Sequence, residues 1–227
     1  MTEPLTPEEL AALRQFDTPT VSNAIETFNL RPRNEGFMSP EIRCLFPELG
    51  VMLGYACTAK IVAERPPEEG TAVSREEYWR HVLTVPAPRV VVVQDLDDPP
   101  AIGSLWGEVN ANIHRALGCV GCVTNGGVRD LDEVRQLGFH FFAAAPIVSH
   151  AYVHLVEFGT PVKVGGVWVK PGDLLHADQH GVLLIPLEIA RDLPEACCAV
   201  QERERPLIEL CQSPGFTLEK LSALLHR

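Results

Sequence analysis

Apolar residues first recur at helical spacing, then crowd into short continuous runs, and then return to helical spacing near the end of the chain. Pro7, followed by Glu8-Glu9 and then Leu10 and Leu13, predicts a helix over 7–15, because proline and acidic residues suit a first turn. Thr18-Pro19-Thr20 opens a second helix carrying Val21, Ala24, Ile25 and Phe28. Residues 31–50 mix prolines, glycines and charges without a period and predict a surface loop. The run Leu53 to Ala63 predicts a strand, and residues 64–70 a polar, proline-bearing loop. Ser74 to Leu83 predicts a helix, with Ser74 as N-cap and Glu77 as its capping-box partner. Arg89 to Asp95 is the unbroken apolar type of strand that is buried on both faces.

A helix is expected from near Gly107 to Leu117, a buried strand over 119–124, a helix from Asp130 to Leu137 closed by Gly138, and a strand over 139–143. Pro161 to Val169 reads as a hairpin turning at Gly165-Gly166. Pro171-Gly172-Asp173 reads as a turn and Gly181 to Pro186 as a strand. Residues 187–227 are expected to be mostly helical, interrupted at Pro194, Pro206 and Pro214. Strands alternating with helices, then a hairpin region, with helices at both ends, predict a layered α/β architecture in a single domain.

Composition narrows the partners. The net charge of −11, with 19 basic and 30 acidic residues and no basic cluster, argues against nucleic acid and anionic lipid as partners. No apolar run reaches ~18 residues, so no spanning helix is expected. The acidic start, Met1 to Glu9, lacks the basic and apolar regions of a signal peptide, so a soluble, cytoplasmic protein is expected. Of the seven cysteines, Cys57, Cys119 and Cys122 lie in apolar stretches, as reduced, buried thiols do.

The candidate chemistry sits at two helix starts. A helix beginning at Gly107 leaves the N–H groups of Gly107, Glu108, Val109 and Asn110 free for a small carboxylate. Gly126-Gly127 predicts a tight turn leading to Arg129-Asp130 at the next helix start, and both starts follow buried strands that can face one crevice. Arg129 offers a two-pronged donor for a carboxylate or keto oxygen. Asp130 offers a hard oxygen ligand for a divalent metal, and Glu108 a second ligand or a holder of a coordinated water. By these residues alone, Arg129-Asp130 fits helix capping as well as it fits a ligand site.

Other groupings point to less. Cys119 and Cys122, three apart in a strand, face opposite ways and suit neither zinc nor redox use. His150 and His154, four apart, are expected as an ordinary pair on one helical face. His176, Asp178 and His180 alternate before a strand and are expected in an ordinary turn rather than a metal site. His81 and His114 belong to no motif. There is no G-x-S-x-G elbow, Walker motif or dinucleotide fingerprint.

Glu108, twenty further residues and Arg129-Asp130 make up the acid, spacer and Arg-Asp pattern of a known family. With Gly121 to Asp130, Gly159-Thr160-Pro161-Val162, Gly165-Gly166-Val167, Pro171-Gly172-Asp173, Gly181 to Pro186 and Thr20 to Ala24, the chain resembles the family of 4-hydroxy-4-methyl-2-oxoglutarate aldolase and the ribonuclease regulator RraA. The resemblance covers about residues 15–195, which makes 196–227 a C-terminal helical extension of one RraA-like domain over 1–227. It implies a swivelling β/β/α domain, a homotrimer or dimer of trimers, and a site at a subunit interface. It also implies Mg2+ or Mn2+ on Asp130, with substrate carboxylate at 107–110 and Arg129. The implied activity is that of a metal-dependent lyase cleaving a 4-hydroxy-2-oxo acid to pyruvate, with Arg129, Glu108 and Asp130 catalytic and oxaloacetate decarboxylation as a side activity. The alternative is a non-catalytic, RraA-type regulator that binds an RNA-processing enzyme. Three departures stand out: Glu108 replaces the usual aspartate, the loops over 31–50 and 64–70 look longer than in the small members, and the family's downstream basic residue has no clear equivalent, His150 being the nearest candidate.

Overall fold

A computed structural model describes residues 3–68 and 73–225. The expected loop over 64–70 therefore ends with two residues outside the described ones. The chain opens with α1 (Pro7–Leu13), α2 (Thr18–Glu26), β1 (Arg43–Cys44) and the long β2 (Met52–Val62). The alternating middle follows: α3 (Arg75–Thr84), β3 (Arg89–Asp95), α4 (Glu108–Ala116), β4 (Cys119–Val128), α5 (Leu131–Leu137) and β5 (His140–Pro146). Then come β6 (His154–Phe158), β7 (Val162–Val164), β8 (Val167–Val169), β9 (Leu174–Asp178) and β10 (Gly181–Ile185). Two helices end the chain, α6 (Leu193–Gln212) and α7 (Leu218–Leu225).

Strands β2 to β5 form a parallel sheet in the order β5-β4-β3-β2, the outcome expected of strand–helix–strand crossovers. The far edge of β2 is shared. Its first residues pair with β9 and its last with β6, both antiparallel. β10 continues beyond β9. The strand period of two then sorts the core. Tyr55, Cys57, Ala59, Ile61, Val91 and Val93 meet Tyr78 and Val82 of α3, Ala111 of α4 and Val134 of α5. The alternate residues Ala56, Val90, Val92, Val123 and Phe142 meet Val162, Val164 and Val169 of the β7–β8 hairpin. Each of these larger side chains contributes about 1.5–3 kcal/mol by leaving water. The result is helices, sheet and hairpin in three layers.

The sheet is nearly closed, and the segment expected as a surface loop closes it. Phe37 bridges to Leu183 on β10, while Arg43 and Cys44 pair with β5, so residues 37–44 join the two edges. Met38, Ile42 and Phe46 are buried there. The sequence hid this because a two-residue strand carries no period.

Four other expectations change. β4 runs on through Gly126-Gly127 to Val128 with a register shift after Thr124, so the two glycines lie in a strand rather than a turn. A register shift after Arg89 leaves Val120 unpaired against β3, and so Cys119 and Cys122 enter the same core cluster. All seven cysteines are free, and burial pushes Cys119 up to about 12 and Cys57 further, which makes them inert thiols. Pro206 lies inside α6 rather than ending it, and Pro194 sits in its first turn. His150 lies outside any helix and His154 begins β6, so they do not share a helical face.

The His176 group serves the fold. The Thr18 hydroxyl lies 3.0 Å from His176 Nδ1, and Asp178 accepts the Thr18 N–H at 2.8 Å, which pins the start of α2 to β9. Asp178 also accepts from His180 in the turn.

Two buried histidines make stability depend on pH. Burial drives His114 and His140 down to about 4. Both are therefore neutral in the fold near pH 5–6, where the unfolded chain, with an ordinary pKa near ~6.5, takes up protons. Stability is expected to fall as pH drops from ~6.5 towards 4, by up to about 3 kcal/mol per histidine. A urea unfolding midpoint that does not fall between pH 7 and pH 4.5 would contradict this.

Candidate functional site

The site forms where the loop after β3 is stitched to the end of β4. Asn125 exchanges two hydrogen bonds with the backbone of Asp95, at 2.8 and 2.9 Å, and locks the two strand ends together. Asp95 in turn accepts the N–H groups of Asp97 and Ala101. Its burial outweighs those donors and raises its pKa. Further along the loop, the Ser104 hydroxyl lies 2.7 Å from Trp106 O and 2.8 Å from Gly127 O, and accepts the Trp106 N–H. Trp106 bridges to Val128 in parallel and accepts the Arg129 N–H at 3.0 Å. Its ring is buried, 4.7 Å from His114 and 5.9 Å from Phe139. Trp106 thus forms an isolated parallel bridge that delivers α4 to the end of β4.

His114 fixes α4 from behind. Its Nδ1 lies 2.7 Å from the Asn110 carbonyl, which can only accept, so Nδ1 carries the proton. Nε2 then accepts from the Tyr78 hydroxyl at 2.9 Å. Asn110 also donates from Nδ2 to Leu105 O at 2.5 Å. The first turn of α4 is thus tied to α3 through Tyr78 and to the preceding loop through Leu105.

Asp130 does not cap its own helix. It has a left-handed backbone, φ 55° and ψ 48°, and makes no side-chain bond to α5. Asparagine and aspartate tolerate this conformation better than most residues, at a cost of about 1 kcal/mol. The side chain crosses instead to α4, where Oδ2 accepts the Glu108 N–H at 2.9 Å. Arg129 Nε stands 3.7 Å from the same oxygen. Gly107 makes this approach possible, because a Cβ there would run into Asp130 Oδ2. The capping reading of Arg129-Asp130 therefore fails for α5.

The same geometry alters the expected carboxylate subsite. α4 begins at Glu108 with Gly107 as its cap residue, and one of its free N–H groups is already taken by Asp130. The N–H groups of Val109 and Asn110 have no intrahelical partner. They border a cleft of about 260 Å³ lined by Gly107, Val109, Asn110, Arg129, Asp130, Ser104, Leu105, Arg75 and His150. Glu108 is not among its lining residues. Its side chain is exposed, and it meets the site through its N–H.

The structure therefore brings Arg129, Asp130 and the α4 start together, and adds His150 and Arg75. His150 arrives because Ser104 N–H donates to Ser149 O at 3.0 Å and Gly103 leaves room for the His150 carbonyl. Sequence reasoning missed Arg75. One signal was available: a cation in a helix's first turn opposes the helix dipole. Among the described residues, no group of three or more His, Cys, Asp or Glu could hold a metal ion, and no helix is long and apolar enough to cross a membrane.

Comparison with known proteins agrees with the fold and the resemblance. The RraA-like family, described as Aldolase/RraA, matches residues 18–184. An uncharacterized protein of Methanocaldococcus jannaschii is 31% identical over 199 residues, 87% of this chain and 86% of that one. The 4-hydroxy-4-methyl-2-oxoglutarate aldolase of Thermus thermophilus is 44% identical over 71 residues, 30% of this chain and 43% of that protein. The chain spans a quarter of the length of Protein DlpA of Legionella pneumophila, with 24% identity over 156 residues, or 68% of this chain and 25% of that one. Among solved structures, an uncharacterized protein from Pseudomonas syringae superposes with a TM-score of 0.76 at 24% identity, covering 98% and 96% of the two chains. Streptomyces coelicolor RraAS2, an RNase ES inhibitor family member, gives 0.70 at 22%, covering 90% and 98%.

Proposed function

Because the chain belongs to the RraA-like, Aldolase/RraA family, we propose that it is a divalent-metal-dependent lyase cleaving a 4-hydroxy-2-oxo acid to pyruvate, with oxaloacetate decarboxylation as a side activity. One observation carries the proposal: Asp130 is turned away from its own helix and held, with Arg129, at the start of α4 in a small cleft. Capping of its own helix, α5, explains neither the left-handed Asp130 nor the glycine that admits it.

The donor set fits Mg2+ or Mn2+. Asp130 is one-third exposed, and only its Oδ2 is engaged by the protein among the described residues. One carboxylate plus waters is an ordinary set for a small hard cation. Bound there, the ion would supply Lewis-acid polarisation of the 2-oxo group. The chain's own residues do the rest. Arg129 holds the substrate carboxylate or keto oxygen with its planar fork. The free N–H groups of Val109 and Asn110 stabilise negative charge beside it. Glu108 fixes Asp130 through its N–H, and its exposed carboxylate exchanges protons through water. A homotrimer or dimer of trimers, with a neighbouring subunit completing the cleft, belongs to the same proposal and is read by sedimentation.

The test is pyruvate release from oxaloacetate and a series of 4-hydroxy-2-oxo acids, with Mg2+ and with chelator. Release that requires the metal is expected. Absent or metal-independent release would sink the proposal.

A further inference from the structure

Tyr78 and His114 form a buried polar pair that no step of the proposed reaction uses. Both are 1% exposed, and neither lines the cleft. We propose that Tyr78 is a positioning residue for the start of α4: it fixes the tautomer of His114, and His114 in turn fixes the backbone of Asn110, whose N–H borders the cleft. The inference rests on reading the N–H groups of Val109 and Asn110 as contacts of the substrate's negative charge.

The chain of contacts is short. The Tyr78 hydroxyl lies 2.9 Å from His114 Nε2, and His114 Nδ1 lies 2.7 Å from the Asn110 carbonyl oxygen. Burial pushes His114 down to about 4, so near neutral pH its ring carries one proton between two nitrogens. Burial also holds the Tyr78 phenol well above its ordinary value, so the hydroxyl keeps a proton to donate. With that donor on Nε2, the ring proton sits on Nδ1 and is donated to the carbonyl. Without it, the proton is free to move to Nε2, which leaves a lone pair facing the carbonyl oxygen. Two acceptors at that separation repel, and the backbone of Asn110 shifts.

Packing stops the ring from turning over instead. Trp106 packs on it at 4.7 Å and Tyr78 at 5.6 Å, and Phe158 of β6 backs Tyr78 at 5.8 Å. The surrounding cluster is apolar and includes Val82, Ala111, Val134 and Phe139. Replacing both members of a buried hydrogen bond by apolar groups of the same shape is nearly neutral for stability. A polar pair in such surroundings supplies orientation rather than packing.

Pyruvate is the probe, with Mg2+ present and binding read by calorimetry, so no turnover is needed. Tyr78→Phe keeps the ring and removes only the donor. It is expected to weaken pyruvate binding roughly tenfold, the weight of one hydrogen bond. Val164→Ala opens a cavity in the hairpin layer, in the other core cluster. It is expected to lower stability yet keep pyruvate affinity within about twofold. His114→Asn places an amide donor where Nδ1 stands, and is expected to bind pyruvate more tightly than His114→Leu, which fills the space without a donor. Ring nitrogen chemical shifts are expected to put the His114 proton on Nδ1 in the parent and to show that preference lost in Tyr78→Phe. Parental affinity in Tyr78→Phe would overturn the inference. So would an equal loss in Val164→Ala, equal affinities in the two His114 variants, an Nε2 proton in the parent, or a parent that does not bind pyruvate. The lyase reading fails separately, when pyruvate binds but no 4-hydroxy-2-oxo acid releases it.

Discussion

Asp130→Asn is expected to lower metal-dependent pyruvate release by roughly 10³-fold while leaving the melting temperature nearly unchanged. The amide keeps an oxygen that can accept the Glu108 N–H, now 2.9 Å from Asp130 Oδ2, so the start of α4 stays capped. The change removes the negative charge that would hold the cation and that stands 3.7 Å from Arg129 Nε. Asp130→Ala removes both functions and is expected to lose about 1 kcal/mol of stability as well, the usual effect of deleting a helix cap. The pair of variants separates chemistry from architecture. If Asp130→Asn retains parental activity at saturating Mg2+, Asp130 is a cross-helix cap and the proposed metal site is wrong.

Gly107→Ala should be nearly as damaging, for a steric reason alone. The Gly107 backbone is extended, φ −160°, a conformation open to any residue, so the glycine is not required by its dihedral angles. It is required by proximity. An added Cβ collides with Asp130 Oδ2 and stands 3.2 Å from both Cγ and Nε of Arg129. One methyl group therefore pushes on both residues assigned to the proposed site. A displacement of about 1 Å in such a group costs on the order of 10²-fold in rate. The helix itself should survive, since alanine in place of a glycine cap destabilises by only about 1 kcal/mol. The expected result is a folded variant with kcat/KM reduced about 100-fold. Parental kcat/KM would show that Asp130 and Arg129 need not hold the positions described.

Much of this was legible in the residues themselves. The four valines of β3 announced a strand buried on both sides. The spacing from Glu108 to Arg129-Asp130, with the surrounding motifs, pointed to the right family. What misled was local. Gly126-Gly127 resembled a turn, yet β4 continues through them, because Gly126 must lie against Asp95 and Gly127 against Ile147 with no side chain between. Residues 31–50 resembled a surface loop because a segment that joins the two edges of a nearly closed sheet buries single side chains, such as Ile42 and Phe46, at no fixed interval.

The sequence by itself determined the alternation of helix and strand and the two apolar faces of the sheet, and offered Arg129 and Asp130 as candidates, because each is written in residue type and short-range period. Only the tertiary structure decided that Asp130 serves α4 rather than α5, that Glu108 meets the site through its backbone, and that His150 and Arg75 join the cleft. Those facts depend on how the 96–107 loop and the 147–153 segment converge on the end of β4. Such convergence is a matter of packing between distant parts of the chain, and periodicity carries no information about it.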